Sequence, residues 1–423
     1  MIKKILLSFS LVFGTAAVAQ QGTASPYSFY GVGDQNSNIT NEYKAMGGTS
    51  VYSDSIHLNL KNPATLGSLQ KTTFSLGATS KFYDFKSDHH SDNVKRQTLD
   101  YVALGFPLIN EKLGVMFGLL PFSNVGYKMT GLHTNAEGRI TTNSYEGDGG
   151  VNKVFLALGY KVMPNLQVGI DAGYNFGHTD NDTYTWIKDR GDGIALATQT
   201  LEQRRIDYKG FSLNLAAQYA GKFKDYDWQA NITYSPEIQW TTDNVTKLQT
   251  YDVYNPGRIL DQMTMTDASK KMKNPQVLSV GTGIGKNMKW FVGGQFTFTE
   301  NSKLSTTWNT SPIASFENSR RYSVGGFYIP KYYSYVSYFD RITYRAGLRY
   351  ENTGLVLNNT SINDYALSAG FGFPIGRNGT NLNVGFEYGQ RGTKSHDLIK
   401  ENYFNMSVGF SLNDIWFKRR RFE

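Results

Sequence analysis

The sequence predicts an all-β protein: a transmembrane antiparallel up-and-down β-barrel of about fourteen strands with an N-terminal hatch, or plug, in its lumen. Three observations predict it. Apolar residues alternate with period two along the chain, an export signal is followed by no second apolar run, and short and long connections alternate. From Leu166 to Phe176 the apolar residues are Leu166, Val168, Ile170, Ala172, Tyr174 and Phe176, with Gln167, Gly169, Asp171, Gly173 and Asn175 between them. The pattern recurs at Leu382, Val384, Phe386 and Tyr388, and at Phe404, Met406, Val408, Phe410 and Leu412. In a soluble sandwich the apolar face packs on a second sheet; in an outer-membrane barrel it faces lipid and the polar face lines the lumen.

The export signal comes first. Lys3 and Lys4 form a basic start, Ile5 to Val18 is apolar but too short to span a bilayer, and Ala17-Val18-Ala19 supplies small residues for cleavage. Residues 1–19 are therefore expected to be a signal peptide. With no cysteine, the chain is neither a lipoprotein nor disulfide-stapled. No long apolar run follows Ala19, which excludes a helical membrane protein. The counts of Tyr 28, Phe 26 and Gly 43 are high in 423 residues, while mean hydropathy is only −0.41. A membrane protein can be this polar on average only if lipid-facing residues alternate with lumen-facing ones, and its aromatics suit interfacial girdles. The formal charge of +8 includes the two signal lysines, so the mature chain is nearer +8 − 2 = +6. These positives are scattered rather than striped. They fit outer-membrane lipid and lipopolysaccharide at the surface, not nucleic acid.

The barrel is expected over residues 71–417. Its strands are placed near 71–84, 97–108, 112–130, 151–162, 165–179, 205–222, 226–243, 274–286, 288–303, 319–330, 339–352, 362–375, 380–392 and 402–416. The even links are short: 109–112, 163–165, 222–225, 286–288 and 376–379, with 331–338 the untidy member. The odd links are long and polar, notably 180–204 and 244–273. Short periplasmic turns and long outside loops are a barrel's asymmetry, and place the chain as an integral protein of the Gram-negative outer membrane.

Residues 20–70 precede the first strand and are rich in Gly and aromatics. The segment is too long for an idle terminus and too short for a separate domain, and a barrel of this size has an interior to fill, so it is expected to be the hatch. At the other end, Asn413-Asp414-Ile415-Trp416-Phe417 closes the last strand as an aromatic-ended signal for the outer-membrane assembly machinery, and 418–423 is a basic tail.

These features, with four local ones, resemble the FadL family of long-chain fatty-acid and hydrocarbon transporters. The local carriers are Asn62, Pro63 and Ala64 before the first strand; Leu119-Leu120-Pro121-Phe122-Ser123 in the third; Gly147-Asp148-Gly149-Gly150 before the fourth; and Tyr344-Arg345-Ala346-Gly347-Leu348-Arg349. The resemblance covers nearly all of the mature chain and implies a fourteen-stranded barrel with a hatch, a pocket for a hydrophobic small molecule such as a fatty acid or hydrocarbon, and lateral exit into the membrane. Two departures mark a divergent branch: the long links 180–204 and 244–273 are polar, and the hatch begins Ser25-Pro26-Tyr27.

A lateral exit requires a break in the strand ladder. Pro121 lacks an amide proton, and the alternation is disturbed after it, so Pro121, Phe122, Ser123 and Asn124 are the candidate gate. The alternative is a harmless proline at the strand's rim. Arg345 and Arg349 lie on one face of their strand and are candidate contacts for a ligand carboxylate or for the hatch, with the structural role favoured. His89-His90 lacks supporting ligands for a metal, and Gly281 to Gly285 lacks the helix a phosphate cradle needs. No Ser/His/Asp set stands out, so no enzyme, cofactor or metal is expected. Two functions remain. One is passive outer-membrane transport of hydrophobic small molecules. The other is a non-transporting barrel serving as an interaction subunit of an outer-membrane assembly or secretion complex. An apolar pocket continuous with a wall opening distinguishes the first; a filled polar interior distinguishes the second.

Overall fold

The computed structural model describes residues 22–88, 90–134, 140–187, 198–255, 257–304, 313–375 and 379–415. The expected signal peptide and the basic tail lie outside the described residues. The barrel strands are β1 (Thr72–Lys86), β2 (Ser91–Ile109), β3 (Leu113–Thr134), β4 (Ile140–Met163), β5 (Leu166–Ile187), β6 (Thr198–Phe223), β7 (Tyr226–Ser235), β8 (Val277–Lys286), β9 (Trp290–Thr299), β10 (Ser319–Tyr328), β11 (Thr343–Leu357), β12 (Thr360–Ile375), β13 (Thr380–Arg391) and β14 (Lys400–Asp414). These 14 strands form a closed antiparallel barrel. β14 pairs with β1 from Lys400 opposite Lys86 to Asp414 opposite Thr72. No helix among the described residues is long and apolar enough to cross a membrane.

Side-chain alternation sets the two faces. On β4, Val154, Leu156, Leu158 and Tyr160 point outward and are exposed, while Phe155 and Ala157 point inward and are buried. On β5, Val168, Ile170, Tyr174 and Phe176 point outward; Gln167, Asp171 and Asn175 are buried inside. The lumen is therefore polar on some strands and apolar on others.

Several strands run beyond the sequence expectation. β3 to β6 are 22, 24, 22 and 26 residues long, against 10 for each of β7 to β10. The polar links read as loops are largely β-hairpin. After Pro236 the chain continues as Ile238–Asp252 along the far end of β6, and Ile259–Thr266 and Lys270–Asn274 pair back onto it. Thr, Val and Tyr favour this pairing, and because most of its buried residues are polar, among them Thr242, Asn244, Thr246 and Gln249, no apolar alternation marks it. The result is a tall wall on one side of the barrel. Gly147 to Gly150, expected before the fourth strand, lies within β4, where Gly149 and Gly150 have φ of +100° and +151°.

Candidate functional site

Residues 22–71 sit inside the barrel, in the position expected of a hatch. The segment holds three short helices, Pro26–Phe29, Asn41–Lys44 and Pro63–Ser68, and a two-residue strand, Asp34–Gln35. It touches every barrel strand. Ile56 meets Thr73 on β1, and Leu58 lies against Gly105 on β2. Leu66, Pro63 and Ala64 lie on Gly114, Gly159 and Gly169 of β3, β4 and β5. Asn62 donates to Gln218 on β6 at 2.6 Å, and Gln229 on β7 donates to the Ser53 carbonyl at 3.0 Å. Val51 lies on Gly281 of β8, and Ser50 donates to Gln295 on β9 at 2.6 Å. Met46, Gly47 and Ala45 lie on Gly325, Gly347 and Gly370 of β10 to β12. Asn383 on β13 donates to Glu42 at 2.9 Å, and Asn41 lies on Gly409 of β14.

Two apolar clusters anchor this plug. Leu58, Leu60, Leu66 and Leu69 pack with Tyr101, Ala103, Met116, Leu120, Phe155 and Ala157. Ile39, Tyr43, Met46 and Val51 pack with Phe291, Phe327 and Ile329. Each such leucine contributes about 1.5–3 kcal/mol if fully buried. Wall glycines let the hatch backbone lie flush: at Gly325 and Gly347 a Cβ would strike the backbone of Met46 and Gly47.

Asn62 caps the helix Pro63–Ser68, accepting from the Ala64 N–H at 3.2 Å. The motif thus begins a helical turn seated on β4 and β5, and the chain enters β1 only at Thr72.

A cavity of about 430 Å³ remains between the hatch and the wall. Most of its charges are paired with one another: Lys44–Asp100 at 2.7 Å, Lys153–Asp171 at 2.9 Å, Arg321–Glu351 at 2.6 Å, Arg349–Asp364 at 3.5 Å and Arg391–Asp34 at 3.0 Å; Lys61 and Lys81 also line it. Arg349 also donates to Tyr403 at 2.9 Å, and the Ser25 hydroxyl donates to Glu401. Arg345 is buried elsewhere, donating to Asn383 at 2.9 Å. The two arginines share a face but serve separate clusters. Arg391, which ties the hatch through Asp34, was missed because its partner lies 357 positions away.

Pro121, Phe122, Ser123 and Asn124 come together where the wall is irregular. The β2–β3 ladder runs from Ile109 opposite Leu113 to Val102 opposite Leu119 and stops. Beyond it β2 continues on β1 alone, and β3 continues on β4 with a register shift between Pro121 and Ser123. Asp34 and Gln35 of the hatch pair with Asn124 and Ser123 on the freed edge of β3. Asn36 donates from its backbone to Phe122 O and from its side chain to Pro121 O, both at 3.0 Å. The Ser123 hydroxyl donates to Val32 O at 2.6 Å. Phe122 turns inward onto Trp240, ring centroids 5.2 Å apart, within a third cluster of Val32, Val151, Ile206, Tyr208, Trp240 and Met272.

The link between β10 and β11 is the exception at the short-turn end. Tyr335 and Val336 are 99% and 97% exposed. The loop beneath them is tied by Lys331 N to Asp340 O at 2.8 Å, Ser334 Oγ to Asp340 Oδ2 at 3.1 Å and Tyr338 OH to Pro374 O at 3.2 Å. No group of three or more His, Cys, Asp or Glu side chains able to hold a metal occurs among the described residues; His89 lies outside them.

A closed fourteen-stranded barrel, apolar outside and plugged by its own N-terminal segment, is an outer-membrane β-barrel of the Gram-negative type. Its solved neighbours have this fold: the CymD monoaromatic hydrocarbon channel (14% identity, 89% of this chain and 98% of that one, TM-score 0.55), the Pseudomonas putida toluene transporter TodX (12%, 90% and 99%, 0.56) and a TodX deltaS2S3 mutant (14%, 89% and 99%, 0.60). The FadL resemblance therefore holds at the level of fold. No curated protein matches the chain. The sequence model of the family described as BamG matches residues 1–423, and the chain belongs to that family.

Proposed function

We propose that this protein is an interaction subunit of an outer-membrane assembly or secretion complex, with a lumen closed by design. The observation that carries this reading is the hatch: it reaches all fourteen strands, and the remaining cavity is bounded by ion pairs that neutralise one another. Ile39, Leu60, Phe122, Leu213 and Leu355 also line it, but these charges break up the apolar surface a hydrocarbon needs, and the ion pairs hold most of its cations away from a carboxylate. The family name BamG hints in the same direction. On this reading the long hairpins face outward and the short turns face the periplasm. The aromatic loop at Tyr335 and Val336 then presents exposed apolar surface where a partner would meet it. Photo-crosslinkers at Tyr335 in cells should give discrete adducts, while purified protein in liposomes should pass neither labelled toluene nor labelled fatty acid. Passage of either, with no adduct, overturns the reading.

A second reading is passive transport of hydrophobic small molecules with lateral exit between β2 and β3. The interrupted ladder supports it, since Asp100 and Phe122 on either side of the gap both line the cavity. It requires the segment around Asp34 to leave the freed edge of β3.

A further inference from the structure

The outer wall of β6 to β10 carries a trench of about 870 Å³. Its floor is a row of small residues on three neighbouring strands: Ala230 is opposite Thr282, and Thr282 is opposite Gly294. Tyr219 and Val324 end the row, being the partners of Ala230 and Gly294. Trp228, Ile232, Val280, Phe296 and Tyr322 stand above it as exposed walls.

Three features say what fits. The trench lining is almost wholly apolar, and its one floor hydroxyl is engaged: Trp228 Nε1 donates to Thr282 Oγ1 at 2.8 Å, and that hydroxyl donates to Gln229 O at 3.2 Å. The smallness of the floor is not imposed by packing at Gly294, where an added Cβ meets nothing nearer than 3.7 Å. This contrasts with the glycines that face the hatch. Finally, a basic rim lies at the turn end of the same strands. Lys286 lies on the outward phase of β8, four residues from Thr282, and is exposed. Lys224 on the next turn lies 5.9 Å from the Phe223 ring centroid. Tyr226 and Trp290 pair beside them at 5.8 Å, as an interfacial aromatic belt would. The acids at this rim are Asp225 and the inward Asp227, whose carboxylate accepts from the Asn287 N–H at 2.9 Å.

Two strand spacings make the floor between Ala230 and Gly294 roughly 10 Å long, room for part of an acyl chain. We propose that the trench is a binding site for an anionic phospholipid, one acyl chain on the Ala230–Thr282–Gly294 floor and its phosphate at Lys286 and Lys224. Charge complementarity at the rim favours a lipid over a second copy of the chain or a partner's transmembrane segment.

The test uses the full chain in nanodiscs of phosphatidylglycerol or phosphatidylcholine, released into mild detergent and weighed by native mass spectrometry. One phosphatidylglycerol should stay bound under conditions that strip phosphatidylcholine. Gly294→Phe or Ala230→Leu should lower that retention at least tenfold, with heat-modifiable migration checking the fold. Lys224→Gln with Lys286→Gln should remove the preference for phosphatidylglycerol. Val168→Phe, on the outward face of β5, should change nothing. The proposal is overturned by equal retention of the two lipids, by retention indifferent to the filled floor, or by a dimer or partner protein on the trench in place of lipid.

Discussion

Replacing Asp34 with alanine should unseat the first part of the hatch and leave the rest in place. Asp34 and Arg391 are 16% and 19% exposed and 3.0 Å apart. Removing the acid does not orphan the guanidinium, because Asp364 remains 3.6 Å away. The cost of an unpaired buried charge, about 3–5 kcal/mol, therefore does not apply. What is lost is one charge-assisted hydrogen bond, about 1.5–3 kcal/mol, and the weaker bond from Thr23. A net loss of about 2–3 kcal/mol multiplies the unseated population roughly 30- to 150-fold, at tenfold per 1.4 kcal/mol. Hydrogen exchange reads this directly. Amides of residues 22–36 should exchange faster by that factor, while those of residues 50–69, packed on β2 to β6, should keep the parent rate. Arg391→Ala should cost more, about 3–5 kcal/mol, because it leaves the buried Asp34 carboxylate without its ion-pair partner, and the double variant should fall short of the sum. A change under threefold in 22–36 refutes the reasoning. An equal rise in 50–69 refutes the view that the two parts of the hatch open separately.

Other outcomes follow from the same geometry. A single cysteine at Met263 should be labelled on intact cells and one at Lys224 only after permeabilisation; the reverse inverts the orientation. Deleting residues 22–70 should open a conducting pore in planar bilayers, because a fourteen-stranded wall is wider than its side chains can fill; unchanged conductance in a folded variant denies the plug its role. Pro121→Val restores an amide donor at the end of the β2–β3 ladder. If the protein carries hydrophobic molecules, their uptake should fall severalfold; indifferent uptake puts the exit elsewhere. In the hatch, burial pushes the His57 imidazole down, but the Asp54 carboxylate 2.5 Å away more than offsets this, so His57 titrates above its ordinary value. Its stabilisation is then complete below about pH 6.5 and lost as pH rises through the raised value. His57→Gln should lower the unfolding midpoint more at pH 6 than at pH 9, and a pH-independent difference contradicts the assignment.

The sequence announces some of this and conceals the rest, for physical reasons. Leu166 to Phe176 reads directly as β5, because lipid outside and polar lumen inside impose opposite demands on alternate residues. The hairpin built on Ile238–Asp252 is hidden, since beyond the membrane both faces meet water or protein. Trp240, fully buried there, gave no signal in an otherwise polar stretch. Pro121 marks an irregular strand because a missing donor is a local property. The ion pairs join residues up to 357 apart, which no local pattern reveals. Inward glycines such as Gly159, Gly169, Gly325 and Gly347 look like ordinary small lumen positions, because what they accommodate is backbone from a distant segment.

The hatch that reaches every strand works as a hub with spokes. A ring of strands joined only edge to edge ovalises readily, since each ladder can twist a little without breaking. With the hub in place, flattening one diameter must compress the contacts at both its ends, such as Met46 and Gly47 on β10 and β11 and Ala64 on β5, and stretch those on the perpendicular diameter. A load applied at the Tyr335 loop, between β10 and β11, is thus carried across the lumen instead of around the rim. The barrel gives up the freedom of an open conduit and gains the stiffness of a fixed mount.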